Sequence, residues 1–560
     1  MEIVNGKEIR DNLLAKYKEE IDKNNYHIKL AIIYIGEDEA SKIYINNKQK
    51  VCESLNIECI IYKFKEITEK ELKELITNLN NNDSITGIMI ELPLPQEFNT
   101  DEILNLIDPN KDVDGLTKDS FIYTCTSSSV IEILKYHNID INKKITLVGY
   151  SNLIGKPLEK YFKSKGINPI ICNSKTTNLK DNTKDSDIII TAVGKPNLIT
   201  EDMVKDNSII IDCAITRGEN GICGDVDYNN VKDKCSLITP VPNGVGPVNT
   251  AIVIKNLITL HKVKEIYNMF KENFPYISRK EKTLKEVISN EDNIIIEERI
   301  DNKLVGCSII NKNTILLLVV DKDYRNKGIG TKLLKESEEL INDKVILGVG
   351  FNYLMPGVPT SKKYNQSVNE GLDPLVNDNA SNFFEKRGYT HSWGEYNCFD
   401  MKMHLKDFNK NDYSIGDTIN DVYYRWATID DLNEIIECAD DACKYQDDKF
   451  SKYYKNEELY KDTNEKVLVA IKNNKIVGTL IVSIETEAKD LGCVGCTCVS
   501  YNETHQKIGT NLVMLGTKYL KDIGLKEASL SYTYTGLDKL YGYSGYKIST
   551  YYFMGEKNKI

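Results

Sequence analysis

The sequence predicts an α/β protein, with an N-terminal α/β module followed by two smaller, mutually related α/β modules. Three observations carry this. Through residues 1–260, short Ile- and Val-rich runs bounded by Gly, Asn or Pro alternate with longer helix-periodic segments, the pattern of a largely parallel sheet. A polar, helix-prone stretch at 261–285 then gives way to strands and a glycine turn feeding a helix, around 303–342. That second pattern returns, weaker, around 466–522, so the last two modules read as a divergent internal duplication.

The strand candidates of the first module are KLAIIYIG (29–36), TGIMIEL (86–92), KITLVGY (144–150), SDIIITAVG (186–194) and NSIIIDCAI (207–215). Between the first two, SKIYINNKQKVCESLNI (41–57) read as a helix puts Tyr44 and Lys48 on one face, because i and i+4 are neighbours. A lysine beside an aromatic ring can pass on a proton or stabilise negative charge, although such pairs also occur on plain solvated faces. GIMIELPLPQ (87–96) runs a strand into two prolines, which end ladder pairing. IDPNKDVDGLT (107–117) sets Asp112 and Asp114 either side of Val113; in an extended chain both carboxylates point one way and can accept N–H donors of a pterin-like ring. A turn with solvated aspartates is the plainer alternative.

KITLVGYSNLIGKPLEKYF (144–162) reads strand, glycine turn, helix, with Gly149, Ser151, Gly155 and Pro157 as punctuation. A helix N-terminus reached through glycines suits a phosphate. The spacing is not G-x-G-x-x-G, so the turn alone is a weak sign of a dinucleotide. ITPVPNGVGPVNTA (238–251) is a rigid Pro/Gly loop before a helix.

Together and in this order, these motifs resemble the methylenetetrahydrofolate dehydrogenase/cyclohydrolase family across residues 1–262. The family's Y-x-x-x-K helix is matched by Tyr44 and Lys48, its Q-L-P-L-P strand by Gly87 to Pro95, and its K-D-V-D-G loop by Lys111 to Gly115. Its G-x-S-x-x-x-G-x-P turn is matched by Gly149 to Pro157, and its T-P-V-P-G-G-V-G-P loop by Thr239 to Pro247. The resemblance implies a folate-binding catalytic domain at 1–118, completed by 245–265, and a Rossmann-like NAD(P)-binding domain at 119–245. It implies hydride transfer from methylenetetrahydrofolate to the nicotinamide, then hydrolysis of the methenyl product to formyltetrahydrofolate. By carry-over Lys48 is the central catalytic group, Tyr44 packs on the folate and Asp114 holds the pterin. Gly149, Tyr150, Ser151, Gly155, Ser174 and Ile215 line the nucleotide.

Several positions depart from the family. Glu91 replaces its glutamine, and a carboxylate beside Lys48 raises the lysine pKa and retunes or weakens hydrolysis. Asn243 replaces a glycine, Asn249 a threonine, and Ala214 and Thr216 alter the strand around Ile215. Ser174 and Lys175 favour NADP, while Tyr150, where some relatives have arginine, keeps NAD open.

In LLLVVDKDYRNKGIGTKLLKESEELI (316–341), Arg325, Gly328 and Gly330 form R-x-x-G-x-G before an amphipathic helix, with Thr331 next. With NFFEKRGYT (382–390) it resembles the GNAT acetyltransferases, which implies a GNAT domain at 280–407 holding the pyrophosphate of acetyl-CoA at Arg325, Gly328, Gly330 and Thr331. A second, divergent GNAT-like domain is expected at 418–560. There Lys507 stands in the place of the first glycine, a fault in the cradle if that residue needs a positive φ. The second motif, LYGYSGYKI (540–548), puts Tyr541, a general acid for the departing thiolate in many relatives, where the first copy has Phe384. YLMPGVPTSKKYNQ (353–366) is a candidate acceptor loop.

The net charge of -11 argues against nucleic acid or anionic membrane as partner, and no apolar run of spanning length or signal core is visible. Fourteen scattered cysteines read as reduced thiols of a cytoplasmic protein. Cys493, Cys496 and Cys498 read as small core residues of a strand rather than a zinc site, and no metal is expected. The expected partners are small molecules and, by resemblance, a second copy through the N-terminal module. An alternative keeps that module as a non-catalytic folate or nucleotide sensor for the acetyltransferase.

Overall fold

The computed structural model describes residues 1–218, 221–277, 281–348, 355–363, 372–409, 413–445, 449–461, 463–485, 488 and 490–559. Residues 353–354 and 364–366 of the candidate acceptor loop lie outside these. The chain forms two compact units, Met1–Ile266 with Arg299–Lys303, and Tyr267–Glu298 with Leu304–Ile560.

The first unit holds two parallel sheets. The smaller has the order Glu58–Phe64, Lys29–Ile35, Gly87–Ile90. The larger has the order Glu2–Ile3, Cys235–Ile238, Ser208–Asp212, Ile188–Thr191, Ile145–Val148, Ile170–Cys172. Ile145–Val148, Ile188–Thr191 and Ser208–Asp212 are buried at every position, which is why they read as Ile-rich runs without polar alternation. The five strand candidates all form, each one to five residues shorter than its motif. The first strand, at 2–3, pairs with Leu237 and Ile238, so the chain's start belongs to the larger sheet rather than to the 1–118 segment.

The order reverses at Ile145–Val148, whose neighbours Ile170–Cys172 and Ile188–Thr191 both follow it in sequence. A crevice outside the strand C-termini at such a reversal is where α/β sheets bind ligands. The Pro/Gly loop then enters a helix at Val245–Asn273, well before the polar stretch at 261–285. Its Val248, Ala251, Ile252, Val253, Ile254 and Leu257 are buried in the unit's core.

In the second unit the sheets are interlocked. Strand Cys398–His404 of the first copy lies between Glu527–Tyr534 and Lys547–Phe553 of the second. Gly555–Lys557 of the second copy lies between Val345–Leu347 and Thr390–His391 of the first. The boundaries 280–407 and 418–560 therefore cut through hydrogen-bonded ladders, and neither copy closes its sheet without a strand of the other.

Candidate active site

Lys48 lies on the helix Glu39–Ser54, which opens where the Asp38 side chain accepts from Ser41 N at 2.8 Å. Glu91 directly follows the C-terminus of the strand Gly87–Ile90. Lys48 Nζ donates to Glu91 Oε2 at 2.8 Å and approaches Met89 Sδ at 3.3 Å; the two charged side chains are 17% and 11% exposed. Burial works against the ammonium, but the Asp114 and Glu91 carboxylates outweigh it and raise the Lys48 pKa. Tyr44, one turn earlier on the same helix, is 47% exposed.

The loop after Ile107 is built around two buried groups. Lys111 donates to the carbonyls of Leu79, Asn80 and Asn82 at 2.9, 2.7 and 2.7 Å, tying the loop to the end of the helix Glu69–Asn80. Asp112 does not face a ligand beside Asp114. Its Oδ1 accepts from Gly115 N at 2.9 Å, and its Oδ2 from Thr117 N and Oγ1, each at 2.8 Å. The chain turns at Gly115, φ +69, so the extended arrangement that would align both carboxylates does not form. Asp114 alone remains for the site. Burial pushes its carboxyl up to about 6, with Asp112 and Glu91 adding and Lys48 opposing. Gly87 lets this loop sit on the strand, since a Cβ there would lie 2.1 Å from Val113 Cγ2.

Downstream, Gly149 leaves its strand at φ +103 with the Ala192 carbonyl where a side chain would be, and Gly155 packs against the Gly149 carbonyl. The helix Gly155–Ser164 has no side-chain cap, and its Lys156 N donates to the Ser151 carbonyl of the turn at 3.1 Å. Ser151 Oγ accepts from Ile154 N at 3.3 Å. Tyr150 donates to Glu159, which also pairs with Lys163 at 2.9 Å. Ser174 is exposed in a turn held by Asn173 N donating to Thr176 Oγ1 at 2.9 Å. Ile215 is 55% exposed and Val193 49%, an apolar surface at the strand ends suited to a nicotinamide ring. These groups fit a dinucleotide. Asn243 adopts φ +82, a conformation asparagine tolerates, so the loss of the family's glycine leaves the turn intact.

Three groups were missed in the sequence. Asp225 accepts from Thr191 Oγ1, Val193 N and Lys195 N, all at 2.7 Å, and so shapes the nucleotide side of the crevice. Thr124 Oγ1 donates to the Leu153 carbonyl at 2.5 Å while Cys125 Sγ donates to Asp114 Oδ1 at 3.5 Å, joining the two halves of the site through adjacent residues. Asn256 donates to the Val113 carbonyl. The signal for all three lay in long-range contacts.

The second unit has a cleft in each copy. The first, about 730 Å³, is lined by Arg325, Gly328, Gly330 and Thr331 together with Phe383 and Arg387. Gly328, φ 85, opens the helix Ile329–Leu340 without a side-chain cap. Arg325 is committed to the loop, donating to Val320 O at 3.2 Å and Asn273 Oδ1 at 2.6 Å. Arg387, unnoticed in the sequence, lies 3.8 Å over the Phe383 ring and donates to Thr331 Oγ1 at 2.7 Å. Phe384 is buried against Tyr389.

The second cleft, about 950 Å³, contains Lys507, Gly509 and Tyr541. Lys507 takes φ 62, so the turn keeps the left-handed residue despite the lysine. Tyr541 is buried, with its hydroxyl 3.1 Å from Thr497 Oγ1, and burial pushes its pKa up. Cys493, Cys496 and Cys498 do lie on a strand, Leu491–Val499, but they line this cleft rather than filling core alone. Among the described residues no group of three or more His, Cys, Asp or Glu could hold a metal ion, and no helix is long and apolar enough to cross a membrane.

Comparison with known proteins places these features. Residues 4–114 match the tetrahydrofolate dehydrogenase/cyclohydrolase catalytic domain, and residues 124–265 its NAD(P)-binding domain. Residues 290–391 match an acetyltransferase (GNAT) domain and 429–541 the acetyltransferase (GNAT) family. The chain is 42% identical to the bifunctional protein FolD of Mycoplasma mycoides over 48% of its own length and 99% of that protein's. It is 40% identical to the FolD of Caldanaerobacter subterraneus over 46% and 96%. Among solved structures, the bifunctional FolD enzyme of Campylobacter jejuni is 35% identical, with TM-score 0.45, over 47% of this chain and 99% of that one.

Proposed function

The chain belongs, through residues 4–265, to the tetrahydrofolate dehydrogenase/cyclohydrolase family, and on that premise we propose that its first unit oxidises 5,10-methylenetetrahydrofolate and hydrolyses the methenyl product slowly. The observation that carries the reading is the buried Lys48–Glu91 pair at 2.8 Å, acting electrostatically on Asp114. Asp114 accepts N–H donors of the pterin and Tyr44 covers it. Thr124 and Cys125 hold the folate side and the nucleotide turn in one frame, and fixed placement of two carbons is what hydride transfer chiefly requires. NADP is the favoured cofactor, since Ser174 and Lys175 rather than a carboxylate follow the strand Ile170–Cys172; when bound, its nicotinamide accepts the hydride.

Hydrolysis adds water to the methenyl carbon and returns a proton to the departing ring nitrogen. Lys48 can give that proton, but Glu91 holds it on the ammonium, so this step is the slow one. A non-catalytic sensor is the less favoured reading, since Tyr44, Lys48 and Asp114 are all kept. The second unit uses acetyl-CoA for N-acetyl transfer, with Arg325, Gly328, Gly330 and Thr331 forming the pyrophosphate seat of the first cleft and Tyr541 the thiolate acid of the second. The protein acts in the cytoplasm, as a homodimer through the first unit.

The test is a spectrophotometric assay with methylenetetrahydrofolate and NADP or NAD that follows reduced nucleotide and methenyl product separately. Reduced nucleotide with accumulating methenyl product is expected. Bound ligands without reduced nucleotide would overturn the enzyme reading.

A further inference from the structure

Asn256 is 5% exposed on the helix Val245–Asn273. Its Nδ2 donates to the Val113 carbonyl at 2.8 Å and lies 3.6 Å from Cys125 Sγ. Cys125 Sγ in turn reaches the same carbonyl at 3.7 Å and Asp114 Oδ1 at 3.5 Å. The peptide unit between Val113 and Asp114 is thus held by an amide from a helix more than a hundred residues later. The loop's other anchors secure its outer ends: Lys111 on the helix carbonyls and Asp112 on Gly115 and Thr117. Asn256 makes the shortest side-chain hydrogen bond to its middle, with the Cys125 thiol beside it, directly before the carboxylate that faces Lys48.

We propose that Asn256 is a positioning residue for the folate reaction, its amide clamping the Val113 carbonyl so that the Asp114 carboxylate stays aligned beside Lys48 for the pterin. This rests on the reading of the first unit as a folate enzyme. The groups facing Asp114 are Lys48 from its helix, Glu91 from the strand end, Asp112 from the same loop and Cys125 from the helix Cys125–Tyr136. None of these is removed by changing Asn256, so any change in Asp114 behaviour reports position rather than local charge.

The experiment uses the full-length chain with Asn256→Leu, which removes the donor while keeping the branched shape, and Asn256→Gln, which retains an amide. Steady-state kinetics with methylenetetrahydrofolate, direct binding of the same folate by calorimetry, and NADP affinity are measured for each. In Asn256→Leu the KM and the folate Kd rise about tenfold or more, as expected for a buried carbonyl left with only the weak Cys125 thiol donor and a loosened loop, while NADP affinity holds. The acid limb of the kcat/KM profile moves to lower pH, because a freed Asp114 gains solvent. Asn256→Gln recovers part of the loss. Unchanged folate affinity and acid limb, with only a lower melting temperature, would make Asn256 a packing residue and overturn the proposal. A wild-type chain that binds folate without turnover would sink the enzyme reading alone, since the Kd comparison would still decide on Asn256. Absence of folate binding in the wild type would sink both.

Discussion

On the proposed reading the first unit gathers its chemistry into one place, whereas the second divides it between two copies of one motif. Lys48, Glu91 and Asp114 come from a helix, a strand end and a loop, yet Asp114 and Glu91 together raise the Lys48 pKa, and Lys48 and Glu91 act in opposite senses on Asp114. In the second unit the turn with both glycines faces a cleft whose motif tyrosine has become Phe384, while Tyr541, with its hydroxyl against Thr497, faces a turn that begins with Lys507. Convergence from separate elements makes each residue answerable to the rest. Duplication relaxes that demand, because either copy can lose a part the other keeps. The exchanged strands Cys398–His404 and Gly555–Lys557 then hold both copies in the fold whatever their chemistry.

The contrast can be broken most sharply at Lys48. Lys48→Met should lower methenyl hydrolysis by about 10²–10⁴-fold, the usual share of a positioned proton donor, and hydride transfer by less, when each is assayed separately. Unchanged hydrolysis would mean that Lys48 is not the proton donor of the site. In the divided unit, Tyr541→Phe should slow acetyl transfer in the second cleft by about 10²-fold at saturating acetyl-CoA. An unchanged rate would remove that copy from the chemistry and leave the first to act alone.

Smaller effects sharpen the picture. Glu91→Gln removes a carboxylate that helps keep Lys48 charged, so methenyl hydrolysis should rise by up to about tenfold for each unit the lysine falls, followed by loss of methenyl absorbance. No change or a drop would show that Glu91 serves the step rather than slowing it. Asp114 has a native pKa of about 6, above that of an unfolded aspartate, so the native state binds the extra proton and loses stability as pH rises through about 4 to 6. Asp114→Asn should therefore melt higher than wild type at pH 7.5 and equally near pH 4 by calorimetry. Smallest of all, Lys507→Gly should relieve a left-handed lysine and raise stability by about 1 kcal/mol, read as a modest rise in denaturation midpoint. The matching change at Gly328, to alanine, should cost a similar amount.

The residues of the first site were singled out because local motifs, each weak alone, together and in order resemble one family. Lys48, Asp114 and Gly149 stand in short patterns whose spacing follows helix, loop and strand–turn geometry. For Asp112 two arrangements were open, and the chain takes the turn, at Gly115, but with the carboxylate buried on its own loop rather than solvated. Arg387, Asp225, Thr124 and Asn256 carried no local signal, since each acts on a backbone or side-chain group far away in the chain or on a ring it happens to cover.

The sequence by itself determined the α/β architecture, the order of the modules and the duplication, because apolar periodicity and glycine turns are properties of neighbouring residues. Only the tertiary structure decided that Glu91 touches Lys48, that Asp112 is spent on its own loop, that Lys507 holds a glycine's conformation and that the two copies trade strands. Those are matters of which distant groups share a buried space. There, loss of solvent makes every contact between charges and hydrogen-bonding groups count for more than any local preference.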